Sequence, residues 1–148
     1  MGYRSNVGIA TTKEVYDRLI KEAPEYTKKL LKMCDEYYIS KYQPIIYDRE
    51  NVDFVPNGPE ETIIVLRWHW IKRYTTDYIF IEDFIQKNEG CITWVGESFD
   101  DIGYECYGEQ DIPWYNYCEV RSDIILDLPE ESYTGNYTEF LERLKECN

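Results

Sequence analysis

Residues 62–71, reading T-I-I-V-L-R-W-H-W-I, constrain the fold more than any other stretch of the chain. β-Branched and aromatic residues fill it, and such side chains suit a pleated, half-buried surface. Alternation along an extended backbone sends Ile64, Leu66, Trp68 and Trp70 to one side and Ile63, Val65, Arg67 and His69 to the other. The first half is apolar on both sides, which calls for a central place in a sheet covered above and below. A folded chain of 148 residues buries roughly two-thirds of its unfolded surface, enough for one core. The expectation is a single α+β domain spanning residues 1–148.

The flanking segments supply the rest of that domain. Val7 and Ile9 alternate with small residues over 5–10 and predict a first strand. Thr11 and Glu14 form a T-x-x-E capping box, followed at helical spacing by Val15, Leu19, Ala23, Tyr26, Leu30 and Met33. Pro24 either kinks this helix or opens a second one. Pro44, Pro56, Pro59 and Asn57-Gly58 mark residues 37–61 as a long loop region, with Ile45-Ile46 as a short edge strand. Asp77 is placed to cap a helix carrying Tyr78, Ile81 and Ile85 on one line, with Phe80 and Phe84 beside it and Gly90 as its C-cap. Residues 91–98, 102–107 and 115–126 read as strands, and 138–147 as a closing helix with Phe140, Leu141 and Leu144 inward. Strands following one another in this order imply an antiparallel-rich sheet of about 4–6 strands with 3–4 helices packed on it.

Charge narrows the partners. The net charge is -13, and 24 of the residues are aromatic, 15 of them Tyr. So many buryable rings argue against disorder, and the acidity argues against direct nucleic-acid binding or adhesion to an anionic membrane. The charge is unevenly spread: residues 97–148 hold 14 acidic residues and 3 basic ones, and residues 88–120 contain no Lys or Arg. Glu97, Asp100, Asp101, Tyr104, Glu105, Tyr107, Glu109, Asp111 and Trp114 therefore form a candidate partner-binding set. Carboxylates supply steering charge, and Tyr and Trp supply rigid contact area, for a basic protein partner. A solvated acidic face that serves solubility explains the same residues.

Chemistry is sparsely signalled. Cys34, Cys91, Cys106, Cys118 and Cys147 contain no CxxC pair, and with His69 as the one histidine no familiar zinc spacing arises. They read as reduced, mostly buried thiols of a cytosolic protein. The first residues lead into no apolar segment of the secretory kind, and no 18-residue uncharged apolar run exists. His69 has no motif partner for acid–base work, and Glu97 with Asp100-Asp101 lacks the calcium-loop pattern. No catalytic residue, metal or cofactor is expected.

Three segments carry a resemblance: Met1-Gly2-Tyr3-Arg4-Ser5-Asn6-Val7, Trp70-Ile71-Lys72-Arg73-Tyr74 and Val95-Gly96-Glu97-Ser98-Phe99-Asp100-Asp101-Ile102. They resemble a group of small phage-encoded proteins that begin MGYRS-(D/N)-V and carry a later G-E-x-x-D-D-I element. The likeness spans about half the chain; residues 37–60 and the C-terminal helix lie outside it, and Asn6 stands where Asp is the commoner choice. It implies phage or prophage origin, a bacterial cytoplasm as workplace, and no catalytic residues. The function expected from it is non-enzymatic inhibition of a host defence or nucleic-acid-handling protein, of anti-CRISPR or anti-restriction type, through the acidic, aromatic-rich surface. The alternative is a binder that sequesters a small anionic immune-signal nucleotide through Arg67, Trp68, Trp70, Lys72 and Arg73. Exposed strand edges leave a homodimer open.

Overall fold

The computed structural model describes residues 2–108 and 112–147. Five strands form one antiparallel sheet in the order β2 (Glu36–Tyr42), β5 (Glu61–Ile71), β1 (Ser5–Thr12), β6 (Gly90–Gly96) and β7 (Ile102–Tyr107). Its residues divide by alternation. Val7, Ile9, Ile64, Leu66, Trp68 and Ile92 point to one face, where α1 (Lys13–Glu22), α2 (Glu25–Leu31), α3 (Thr76–Lys87) and α4 (Tyr137–Lys145) cover them. Ala10, Ile63, Val65, Cys91 and Val95 point to the other, under Ile112, Trp114, Tyr117, Cys118 and Ile124. Both faces of β5 are thus buried, as its apolar run demands, and the chain is a single α+β domain.

Several local expectations give way to tertiary packing. The 37–61 loop region instead holds β2 and a separate two-stranded ribbon, β3 (Ile45–Asp48) with β4 (Asp53–Pro56). Tyr37 and Ile39 drive β2: both are buried on the helix-covered face, while Tyr38 between them packs against the second core. The strand expected at 115–126 is a 3-10 turn, Trp114–Asn116, followed by the two-residue strands β8 (Glu119–Val120) and β9 (Ile124–Ile125). Trp114, Tyr117 and Cys118 fold inward as a lid on the second face, and an extended strand could not bury all three. Pro24 opens a second helix, and the break rotates the apolar stripe, leaving Tyr26 and Met33 exposed while Thr27 and Leu31 turn inward.

Helix starts shift by a residue or two. Thr12, not Thr11, caps α1 by accepting from the Val15 amide at 3.3 Å, because the Thr11 hydroxyl is committed to the Glu89 carbonyl at 2.6 Å. Thr75 rather than Asp77 precedes α3, and Asp77 sits in the first turn, where its charge complements the helix dipole. Gly90 serves as the first residue of β6 rather than as a helix cap: at φ 148° a Cβ there would lie 2.5 Å from the Ala10 carbonyl oxygen. Asn136 caps α4 by accepting from the Glu139 amide at 3.0 Å.

Candidate functional site

The end of β5 departs from regular pairing. Val7 pairs with Trp68 and Ser5 with Ile71, so His69 and Trp70 together oppose Asn6 and form a bulge. Trp70 carries φ 60°, which turns its ring out of the row of Ile64, Leu66 and Trp68 and leaves it half exposed. Three side chains from two other segments, the N-terminal one and the one before β2, take up the freed backbone groups. The His69 amide donates to Asp35 Oδ2 at 2.6 Å, the Trp70 amide to Asn6 Oδ1 at 3.0 Å, and Arg4 Nη1 donates to the Trp70 carbonyl at 3.2 Å.

Beside the bulge lies the β6–β7 turn. The Gly96 amide donates to the Asp101 carbonyl at 2.8 Å and the Asp101 amide to the Ser98 carbonyl at 2.9 Å. The N-terminal segment is laced onto this turn. Tyr3 Oη donates to Asp101 Oδ2 at 2.7 Å and accepts from the Ser98 amide at 3.0 Å, while the Arg4 amide donates to Glu97 Oε1 at 3.1 Å. Trp94 Nε1 donates to Asp101 Oδ1 at 3.2 Å. The turn displays Phe99 with 93% of its surface exposed, next to exposed Glu97 and Asp100. Among the described residues none of Glu97, Asp100, Asp101 and Glu105 has a cationic side chain within 4.0 Å.

The nine residues singled out by charge and aromaticity do not share one surface. Glu97, Asp100 and Asp101 occupy the turn. Glu105 and Tyr107 lie along edge strand β7 on the helix-covered face, opposite Ile92 and Gly90 in register. Tyr107 donates its hydroxyl to the Glu105 carboxylate, which pushes the phenol up to about 12. Tyr104 points to the other face, edge-on to Tyr115 at 6.2 Å, and burial raises its pKa. Trp114 is buried in the second core, so it is no contact residue; an indole beside Pro113 and Tyr117 packs better than it projects. Glu109 and Asp111 lie outside the described residues.

Nor do the five basic and aromatic residues converge. Arg67 lies on the second face, its Nη2 3.0 Å from Asp123 and its Nη1 3.4 Å from Glu36, and Trp68 is buried on the first. Arg73 pairs with Glu82 at 2.7 Å and stacks its guanidinium on Trp94 at 3.7 Å. Trp70 and Lys72 remain, and they meet at the bulge rather than with the other three. His69 is exposed with Nε2 3.2 Å from Glu36 Oε2, and among the described residues no three His, Cys, Asp or Glu side chains are grouped to hold a metal ion.

Sequence reasoning missed one surface. Ile45, Ile46 and Tyr47 of β3 and Phe54 of β4, with Val52 between the strands, are all at least 49% exposed. The signal was present as two short apolar runs ending at Asp48 and starting at Asp53, whose separation of four residues suits a hairpin. This ribbon leaves the sheet at the end opposite the acidic turn, since it joins Tyr42 to Glu61. Among the described residues no helix is long and apolar enough to cross a membrane. Comparison of the chain with protein-family models, with curated proteins and with solved structures returns no significant match.

Proposed function

We propose that this chain is a non-enzymatic phage accessory protein that docks on a basic, nucleic-acid-handling host protein in the bacterial cytoplasm and inhibits it. The observation that carries the reading is Phe99, 93% exposed on a hydrogen-bonded turn between carboxylates that no described cation neutralises. An exposed ring costs solubility, and one displayed on a hydrogen-bonded turn between like charges is suited to fill a pocket on a partner. The carboxylates steer a basic surface toward it and set the approach rate more than the final affinity. Of the turn's carboxylates Asp100 is free to act, whereas Glu97 and Asp101 also hold the N-terminal segment. The phage and anti-defence parts of the proposal rest on the three-segment resemblance.

The test is capture of host proteins on the immobilised chain at low and high salt, repeated with Phe99→Ala and with the charge reversal Asp100→Lys. A nucleic-acid-binding partner that leaves as salt rises should lose tenfold or more in affinity with Phe99→Ala and associate more slowly with the charge reversal. The same partner bound equally well by both variants would overturn the assignment of this turn as the contact.

A further inference from the structure

The sheet end that bears the acidic turn also holds a groove of about 830 Å³ lined by Gly2, Tyr3, Arg4, Trp70, Lys72 and Glu97. Pockets for small ligands fall in this size range. Trp70 is its anomalous member. A residue with a side chain rarely adopts φ 60°, and glycine would satisfy the bulge without strain. Asp35, Asn6 and Arg4 nevertheless clamp the bulge's backbone in place, and the outcome is an indole standing half exposed at the groove. Strain that is over-determined by its surroundings is a pointer to function, here to what the ring touches.

The chemistry around the ring is consistent. Tyr3 and Tyr74 add two further partly exposed rings, and the Tyr74 hydroxyl packs against Gly2, where a Cβ would come within 1.9 Å of it. Arg4 and Lys72 bring two cations with no carboxylate within 4.0 Å among the described residues. Glu97 contributes an acceptor, one of its oxygens already taken by the Arg4 amide. Rings, cations and one carboxylate suit a ligand with a flat base, a phosphate and donor groups on sugar or base.

We infer that this groove binds a free nucleotide, with the base stacked on Trp70, the phosphate on Lys72 and Arg4, and a ligand hydroxyl or amino group donating to Glu97. The residues differ from the set expected from sequence, of which Trp70 and Lys72 alone take part. A nucleic-acid strand would offer the same base and phosphate, but the net charge of -13 repels a polyanion far more than a single nucleotide.

Isothermal titration of the whole chain with ADP-ribose and 3′,5′-cyclic AMP, and separately with adenosine, tripolyphosphate and a short oligodeoxyadenylate, tests this. Saturable binding of at least one nucleotide is expected, at least tenfold tighter than adenosine, tripolyphosphate or the oligomer. Trp70→Gly and Lys72→Gln should each weaken it tenfold or more while circular dichroism shows an unchanged fold, since glycine accepts the bulge conformation. Phe99→Ala should leave it unaltered, which separates this site from the partner-docking turn. No saturable heat with either nucleotide at millimolar concentration would overturn the inference. So would full binding by Trp70→Gly, or equal affinity for tripolyphosphate or the oligomer.

Discussion

Trp70 allows a stability measurement in which most confounding effects cancel. Trp70→Ala and Trp70→Gly both remove the same half-exposed indole, so lost packing is common to the two variants. They differ at the backbone. At φ 60° a residue with a Cβ pays about 1–2 kcal/mol for the left-handed conformation, and glycine pays almost none of it. Glycine gives back roughly 0.5–1 kcal/mol through its freer unfolded chain. The net expectation is that Trp70→Gly is more stable than Trp70→Ala by about 1 kcal/mol, the reverse of the usual order within a strand. For a chain of this size that corresponds to a difference of roughly 2–4 °C in Tm. Urea denaturation followed by the fluorescence of Trp68, Trp94 and Trp114 gives both midpoints with one slope if unfolding is two-state. Alanine equal to or above glycine would mean that the bulge stores no backbone strain, and the argument that Trp70 is held there for its ring would fall with it.

Other parts of the fold yield expectations of known sign. Gly103→Ala should cost about 1–3 kcal/mol, because the new Cβ would lie 1.8 Å from the Trp94 ring and displace it from its stack under Arg73; chemical denaturation reads the loss. Alkali should destabilise the protein through its buried thiols. Burial raises Cys118 from 9.0 to about 11 and Cys91 in the same direction, so the stability from keeping Cys118 neutral is complete below pH 9 and lost as pH climbs to 11, on the order of 3 kcal/mol. Thermal melts across that window should fall less steeply for Cys118→Ala. In the ribbon, Tyr47→Ser with Phe54→Ser removes a ring pair 5.2 Å apart but nothing from either core, so the global Tm should move by less than about 3 °C while hydrogen exchange in residues 45–56 accelerates.

What could be read from the chain follows from how local the determining forces are. β5 was legible because its own residues specify burial on both faces, and the helices because Val15 and Leu19, Tyr78, Ile81 and Ile85, and Phe140 and Leu144 recur at helical spacing within each. β2 was not, since Pro44, Pro56, Pro59 and Asn57-Gly58 made residues 37–61 read as loop, and its strand character comes from pairing with β5 and from Tyr37 packing on Phe140 at 4.8 Å. The lid at 112–128 resembles a strand in composition, yet Trp114, Tyr117 and Cys118 meet the sheet through a 3-10 turn that depends on the face already being there. For the candidate site, the sequence located the acidic turn and named Trp70 and Lys72. It could not show that one extra residue in β5 would rotate Trp70 out of the core row, because a bulge is a property of the pairing with β1 rather than of either strand alone.

The residues that carry the three-segment resemblance are largely partners of one another. Tyr3 bonds Asp101 and Ser98, Arg4 bonds Glu97 and the Trp70 carbonyl, and Asp101 also receives Trp94. Segments separated by more than 60 residues are thereby tied into one clasp at the end of the sheet. The clasp is a scaffold: the carboxylates of Glu97 and Asp101 are spent on holding the N-terminal segment and the turn together. The recognition proposed above falls to what the clasp presents and does not use. On one side that is Phe99 with Asp100, and on the other the Trp70 ring with Lys72. The two sit close enough that a ligand in the groove would lean on Glu97 and Tyr3, the same residues that anchor the turn. Were both proposed ligands to bind, that shared anchor would couple nucleotide and partner. Linkage then requires any effect of one on the affinity of the other to be reciprocal.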